Sequence, residues 1–394
     1  MRKMDKKDAL IGILAIVAVG LAGGLGYVIV ANPFTGEPPT TTFYQGLPED
    51  WSTAPNSSSF SLYDVHGVEH VITLGEILDG VQIYLDDLAT DSISEWKNYF
   101  ELTTIQDPIS GQYVTGVNIL DILEEKGIYF AGDLEFKTED SVSREIHTAD
   151  IIAKSYAKKG ATYFVLVLAI NQMWLQDSPY YASMGNFSIM GLDSNDNFYN
   201  FNQVSVMNNW TIDLIVNGTT ELTLDAWDLI QDPDTAVYQY ESTSGWGANR
   251  QYWGKNVSDI IAMTSANGKP DYEVTFGAAD GFTTPFWKWE PPYNKSEVEN
   301  GMCNNGTHVI PRSDDDYVNG TETSLGVPIP ATDLIMNLAW KIQEFGETYD
   351  GILDDAWPVP KILSYSSGPF NVQIPGRNRA NYAKWVTEII IDYD

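Results

Sequence analysis

The sequence predicts an α+β protein: two related domains in tandem behind a single N-terminal transmembrane helix. Three observations predict it. An uncharged run fills residues 9–31 behind a basic flank, a Pro/Ser/Thr-rich stretch follows it, and one pattern of Gly, Asn and Asp occurs twice with its internal spacing unchanged. The length of 394 residues exceeds one ordinary domain and suits two with appendages. A hydrophobic content of 43% excludes wholesale disorder.

The first element is the flank over residues 1–8, with Arg2, Lys3, Lys6 and Lys7. At 1.5 Å per residue, the run 9–31 spans the ~30 Å hydrocarbon core of a bilayer. A cleavable leader has a shorter apolar region of roughly 7–15 residues, and no small-x-small exit precedes Asn32. The run therefore reads as a retained signal anchor. The basic flank stays cytoplasmic, and everything after Asn32 lies outside the cell membrane as a single-pass protein. That exterior part holds 18 basic residues against 52 acidic ones, a net charge of −34, where the whole chain carries −32. Such acidity excludes nucleic acid as a partner, because phosphate binding needs clustered Lys and Arg. Sequons at Asn56, Asn186, Asn209, Asn217, Asn256, Asn294, Asn305 and Asn319 fit an exterior glycoprotein. One cysteine, Cys303, excludes an internal disulfide framework and any Cys-based zinc site.

Residues 32–59, with PPTTT and STAPNSSS, read as a linker. The domains follow at 60–205 and 206–394, the second with an insertion near 290–325. Gly116-Val-Asn-Ile-Leu-Asp-Ile-Leu123 matches Gly254-Lys-Asn-Val-Ser-Asp-Ile-Ile261, and Asp133-Leu-Glu-Phe136 matches Asp271-Tyr-Glu-Val274 at the same distance. Each copy reads as a turn, a short amphipathic helix carrying Val117, Leu120, Ile122 and Leu123 in the first copy, then a strand. Upstream, Phe60–Gly67 leads to Ile72-Thr-Leu74, and Trp210–Gly218 leads to Leu222-Thr-Leu224 at a helix start. Alternating Ile212, Leu214 and Val216 mark a half-buried strand, and the His-Gly and Asn-Gly pairs mark hairpin turns.

At these residues the chain resembles the oxidoreductase molybdopterin-binding domain family, the sulfite-oxidase-type fold, in two copies with the second clearer. The resemblance rests on the strand ending in Asn-Gly, on Leu-Thr-Leu, and on Gly254 followed by Asp259-Ile-Ile. It rests most on Gly368-Pro-Phe-Asn-Val-Gln-Ile-Pro-Gly376 with Lys384-Trp385 and a closing strand. It implies a molybdopterin cofactor whose metal takes a Cys thiolate. Here Ser242 stands where that Cys falls, Ser366-Ser367 replace a His-Gly pair, and Asn371 replaces an Arg. The residues the resemblance assigns to cofactor binding are Ser242, Arg250, Arg377, Arg379 and Lys384. The last four are cations that suit an anionic small molecule. No catalytic residue and no metal ligand is assigned.

Other constellations are weaker. Asp193-Ser-Asn-Asp-Asn197 alternates oxygen ligands but lacks the turn Gly and closing Glu of a calcium loop. Asp314–Asp316 and Asp354-Asp355 read as solvated acids. Residues 285–292 are aromatic enough for sugar stacking or for packing of the 290–325 insertion against the domain, and Trp246, Trp253 and Trp385 read as core packing ahead of a pocket lining. His147 with Asp150 or Glu145 reads as a surface helix rather than an acid/base pair. The leading reading is a degenerate oxidoreductase-like protein that binds a ligand or a surface protein. The alternatives are an active oxidoreductase with a non-Cys metal ligand and a glycan- or cation-binding surface protein.

Overall fold

The computed structural model describes residues 46–89, 100–106, 112–156, 164–178, 181–191, 197–231, 235–243, 246–284, 292–300, 303–304, 308–309, 336–347, 361–366, 368–373 and 383–394. Among them are twenty-four strands and seven α-helices, and a single helix exceeds nine residues. The expected α+β class behind a transmembrane helix is therefore corrected to a mostly β fold. The physical reason is that six of the seven helices hold nine residues or fewer and link strands, and that Leu222-Thr-Leu224 itself continues a hairpin strand, the helix beginning at Ala226. Among the described residues no helix is long and apolar enough to cross a membrane. The run 9–31 lies outside the described residues.

The first unit contributes β1 (Ser59–Tyr63), β2 (Glu69–Thr73), β3 (Thr103–Gln106), β4 (Tyr113–Val117), β5 (Ala131–Thr138), β6 (Ser143–His147), β7 (Val165–Ile170), β8 (Met173–Trp174), β9 (Ser188–Met190), β10 (Phe198–Tyr199) and β11 (Phe201–Asn209). Its main sheet runs β2–β1–β11–β5–β6, and its second sheet runs β10–β9–β7–β4–β3 with β8 beside β7. The second unit contributes β12 (Thr211–Val216), β13 (Thr219–Asp225), β14 (Thr235–Thr243), β15 (Trp246–Asn256), β16 (Glu273–Ala278), β17 (Thr283–Thr284), β18 (Tyr293–Asn294), β19 (Cys303–Asn304), β20 (His308–Val309), β21 (Asn337–Glu347), β22 (Lys361–Ile362), β23 (Asn371–Gln373) and β24 (Val386–Asp392). Here the main sheet runs β13–β12–β24–β16–β17 with β18 on β16, and the second runs β14–β15–β21–β22 with β23 on β21. The helices are α1 (Leu74–Ala89), α2 (Ile119–Glu125), α3 (Thr148–Tyr156), α4 (Tyr181–Met184), α5 (Ala226–Gln231), α6 (Val257–Ile261) and α7 (Lys295–Asn300).

The two units share one wiring. In each, the first strand forms a hairpin with the second and pairs in parallel with the last strand of the unit. The last strand then pairs antiparallel with β5 or β16, which turns back into β6 or β17. The matched glycines explain part of this. A Cβ on Gly116 would fall 1.8 Å from the Leu166 carbonyl oxygen, and one on Gly254 2.0 Å from that of Leu338. Both sit at a register shift in the strand leading to α2 or α6. Asn118 then caps α2, its Oδ1 accepting from Leu120 N at 3.0 Å. Val117 ends β4 rather than lying on the helix, whose buried residues are Ile119, Leu120, Ile122 and Leu123.

A continuous apolar core joins the units, running from Phe60 and Leu134 through Trp210 to Leu338 and Ile389. Tyr365, fully buried, fastens them: its hydroxyl donates to Ile128 O at 3.0 Å and accepts from Ala131 N at 2.9 Å. Two sequence boundaries move. The expected linker 32–59 is partly folded, since Leu47 is buried in the core and Trp174 Nε1 donates to Thr53 Oγ1 at 3.2 Å. The divide at 205/206 falls inside β11, which runs to Asn209, so Trp210 alone separates the units.

Candidate functional site

The residues expected around a cofactor map mostly onto the second sheet of the second unit. Ser242 lies in β14 opposite Gly247, and Arg250 lies in β15 opposite Gln239 and Glu344. That register leaves them three residues apart along the hairpin, about 10 Å. Lys384 bridges Asn371, which pairs with Ala339, which in turn pairs with Gly254. By strand spacing and rise, Lys384 is then on the order of 25 Å from Ser242. One sheet carries all three, but it does not bring Ser242 or Arg250 beside Lys384. Arg377 and Arg379 lie outside the described residues, as do Asp193–Asp196, Asp314–Asp316, Asp354-Asp355 and 285–291.

What the sheet does bring together near Lys384 is a polar face that the sequence reading missed. Two adjacent rows cross it. Asn256, Asn337 and Gln373 form one, and Gly254, Ala339, Asn371 and Lys384 the other. Alternation along β21 and β23 sends Leu338, Trp340 and Val372 into the main core, which puts Asn337, Asn371 and Gln373 on the opposite face. Asn337 and Gln373 are 0% exposed and Asn371 6%. Among the described residues, neither side-chain polar atom of Gln373 has a hydrogen-bond partner, nor does Asn371 Oδ1 or Asn256 Oδ1. The missing Cβ of Gly254 makes the arrangement possible, since it would stand 2.5 Å from Asn337 Oδ1.

The first unit supplies a comparison inside the same chain. Its sheet pairs Gly116 with Val167, Val117 with Leu166, and Val165 with Met190. The positions of Asn337 and Gln373 are thus held by Val165 and Met190, which belong to an apolar cluster with Val167, Ile170 and Leu175. At these two positions the fold closes that face with apolar side chains in one unit and carboxamides in the other, while the third position of the row is Asn in both, Asn118 and Asn256.

The neighbouring polar groups have structural partners. Trp385 Nε1 donates to Tyr365 O at 2.6 Å, which makes Trp385 a packing residue. The Ser364 and Ser366 hydroxyls bond each other at 2.7 Å. Glu124, from the first unit, accepts from Tyr365 N. Desolvation between the units pushes the Glu124 carboxyl up to about 7, opposed by that backbone hydrogen bond. Burial likewise pushes the Tyr365 phenol well above its ordinary range.

A second cluster lies on the main sheet of the first unit. His147 ends β6, and its Nδ1 bonds Asp133 Oδ1 rather than the Asp150 or Glu145 that proximity in sequence suggests. Asn208, Asp133 and His147 form one row across β11, β5 and β6. The imidazole is drawn up in pKa first by the Asp133 hydrogen bond, against partial desolvation, with Asp133, Asp150 and Glu145 adding negative field.

The residue at the expected molybdenum position departs from the resembled family. Molybdenum in the resembled family takes a soft thiolate, whereas Ser242 offers a hydroxyl, and Cys303 pairs with Val309 in a separate two-stranded sheet. Asn371 likewise offers a carboxamide where a guanidinium is expected. No family model matches the chain, and no curated protein matches it.

Proposed function

We propose that the chain is an extracytoplasmic binding protein whose second unit takes a small anionic molecule at the polar face of β21 and β23, and that it performs no molybdenum redox chemistry. The observation that carries this reading is the contrast between equivalent rows: Val165 and Met190 in one unit, Asn337 and Gln373 in the other. A buried polar group left without a partner costs about 1–3 kcal/mol. A fold able to close this face with Val and Met gains nothing in stability from Gln373. The unpartnered Gln373 Nε2 offers an N–H donor to a ligand oxygen, the Oδ1 atoms of Asn256 and Asn371 accept from a ligand hydroxyl, and Lys384, half-buried at the end of the second row, adds positive charge in a chain of net −32. The basic-flanked apolar run 9–31 and the eight sequons support export.

Two measurements on purified native protein test this. Elemental analysis is expected to find no stoichiometric molybdenum and no bound pterin. Titration with sulfate and with acetate is expected to raise the melting temperature saturably. Gln373→Leu should abolish that rise while stabilising the ligand-free protein by about 1 kcal/mol. Stoichiometric molybdenum, or an anion response unchanged in the variant, overturns the proposal.

A further inference from the structure

We infer that the first unit holds a divalent transition-metal site, independent of the anion face, formed by Asp133, Glu145 and His147. One donor atom from each of the three lies within 4.8 Å of the others. Donors around a four-coordinate ion stand about 3.3 Å apart for bond lengths near 2.0 Å, so an ion can enter with small side-chain shifts. The donors are fixed by register rather than by loop conformation. Asp133 and His147 face each other across β5 and β6, and Glu145 stands two residues before His147 on the same side of β6. Asn208 Nδ2 donates to Asp133 Oδ2 at 2.6 Å, which holds the carboxylate with its other oxygen toward the imidazole. An outer hydrogen bond of this kind orients a metal-binding carboxylate.

Two further observations separate this group from a solvated patch of acids. Glu135 and Glu145 are directly opposed across the strands. Like charges so placed repel, and a cation beside them removes the penalty. In the second unit, β18 precedes α7 as β6 precedes α3, and it opposes Asn294 to Glu273 of β16 and Tyr293 to Val274, with no imidazole. The fold therefore does not require the donor set. One imidazole nitrogen with two carboxylate oxygens suits Zn2+, Co2+ or Mn2+ better than Ca2+ or Mg2+, which favour all-oxygen shells. The proton shared by His147 and Asp133 leaves to solvent as the ion enters. His147 is 64% exposed at the side chain, so the remaining coordination positions open outward.

The test uses the tag-free full chain titrated with Co2+, read by visible d–d absorption and by calorimetry. One saturable site per chain is expected, displaced by Zn2+ and not by millimolar Mg2+. His147→Ala and Glu145→Gln should each weaken it by at least about tenfold. Both side chains are solvent-facing, so unchanged circular dichroism and melting temperature will show that the variants fold. Absence of saturable Co2+ uptake, or uptake that survives His147→Ala, overturns the inference.

Discussion

Glu124 concentrates the residue-scale physics of the molecule. It is a carboxylate carried by a first-unit helix into contact with second-unit backbone, and desolvation raises its pKa to about 7. The folded state therefore holds its proton more tightly than the unfolded chain, whose value is 4.5. Stability from this group is greatest below about 4.5, falls as pH rises toward 7, and is level beyond that. Glu124→Gln keeps an acceptor for Tyr365 N and removes the charge. It is expected to flatten the fall between pH 4.5 and 8 and to stabilise the protein by about 2 kcal/mol at pH 8. Thermal unfolding of both proteins across that range checks it. Nothing in the sequence marks Glu124, because its partner lies 241 residues away. His147 and Asp133 are 14 residues apart and meet only through the β5–β6 register, which nearness in sequence to Glu145 and Asp150 does not reveal. Gln373 was in view as part of the Gly368–Gly376 segment, but a segment match does not say which alternate residues turn away from the core.

At the scale of elements, the repeat was the most legible feature. Gly116 and Gly254 recur because each strand passes too close to its neighbour's carbonyl oxygen to carry a Cβ. Gly116→Ala and Gly254→Ala should each cost about 3 kcal/mol or more, measured by urea unfolding. Asn118→Ala should cost about 1 kcal/mol through loss of the cap on α2. The period-2 alternation of Ile212, Leu214 and Val216 matches the burial of β12, and Asn217 and Gly218 both take positive φ in the hairpin turn. The helix entry expected at Leu222-Thr-Leu224 lies two residues further on, at Ala226, whereas Leu74 of the first unit does open its helix. Three residues are too few to separate a helical stripe from a strand, and the preceding Asn-Gly turn had already committed the chain to a hairpin.

Among the described residues the two units are joined by one continuous core and by Tyr365, whose hydroxyl satisfies Ala131 N and Ile128 O across the units. Tyr365→Phe leaves both backbone groups unpaired, at about 1–3 kcal/mol each. Scanning calorimetry should show one transition in the native chain and a broadened or divided one in the variant. The parallel pairs β1–β11 and β12–β24 have a consequence for biosynthesis. The strand that closes each main sheet is the last of its unit to leave the ribosome, so neither sheet can be completed while its unit is still being made. Contacts of such long sequence separation form slowly. Each unit therefore stays open until its closing strand has emerged, and the second can close only after Val386–Asp392 has been made.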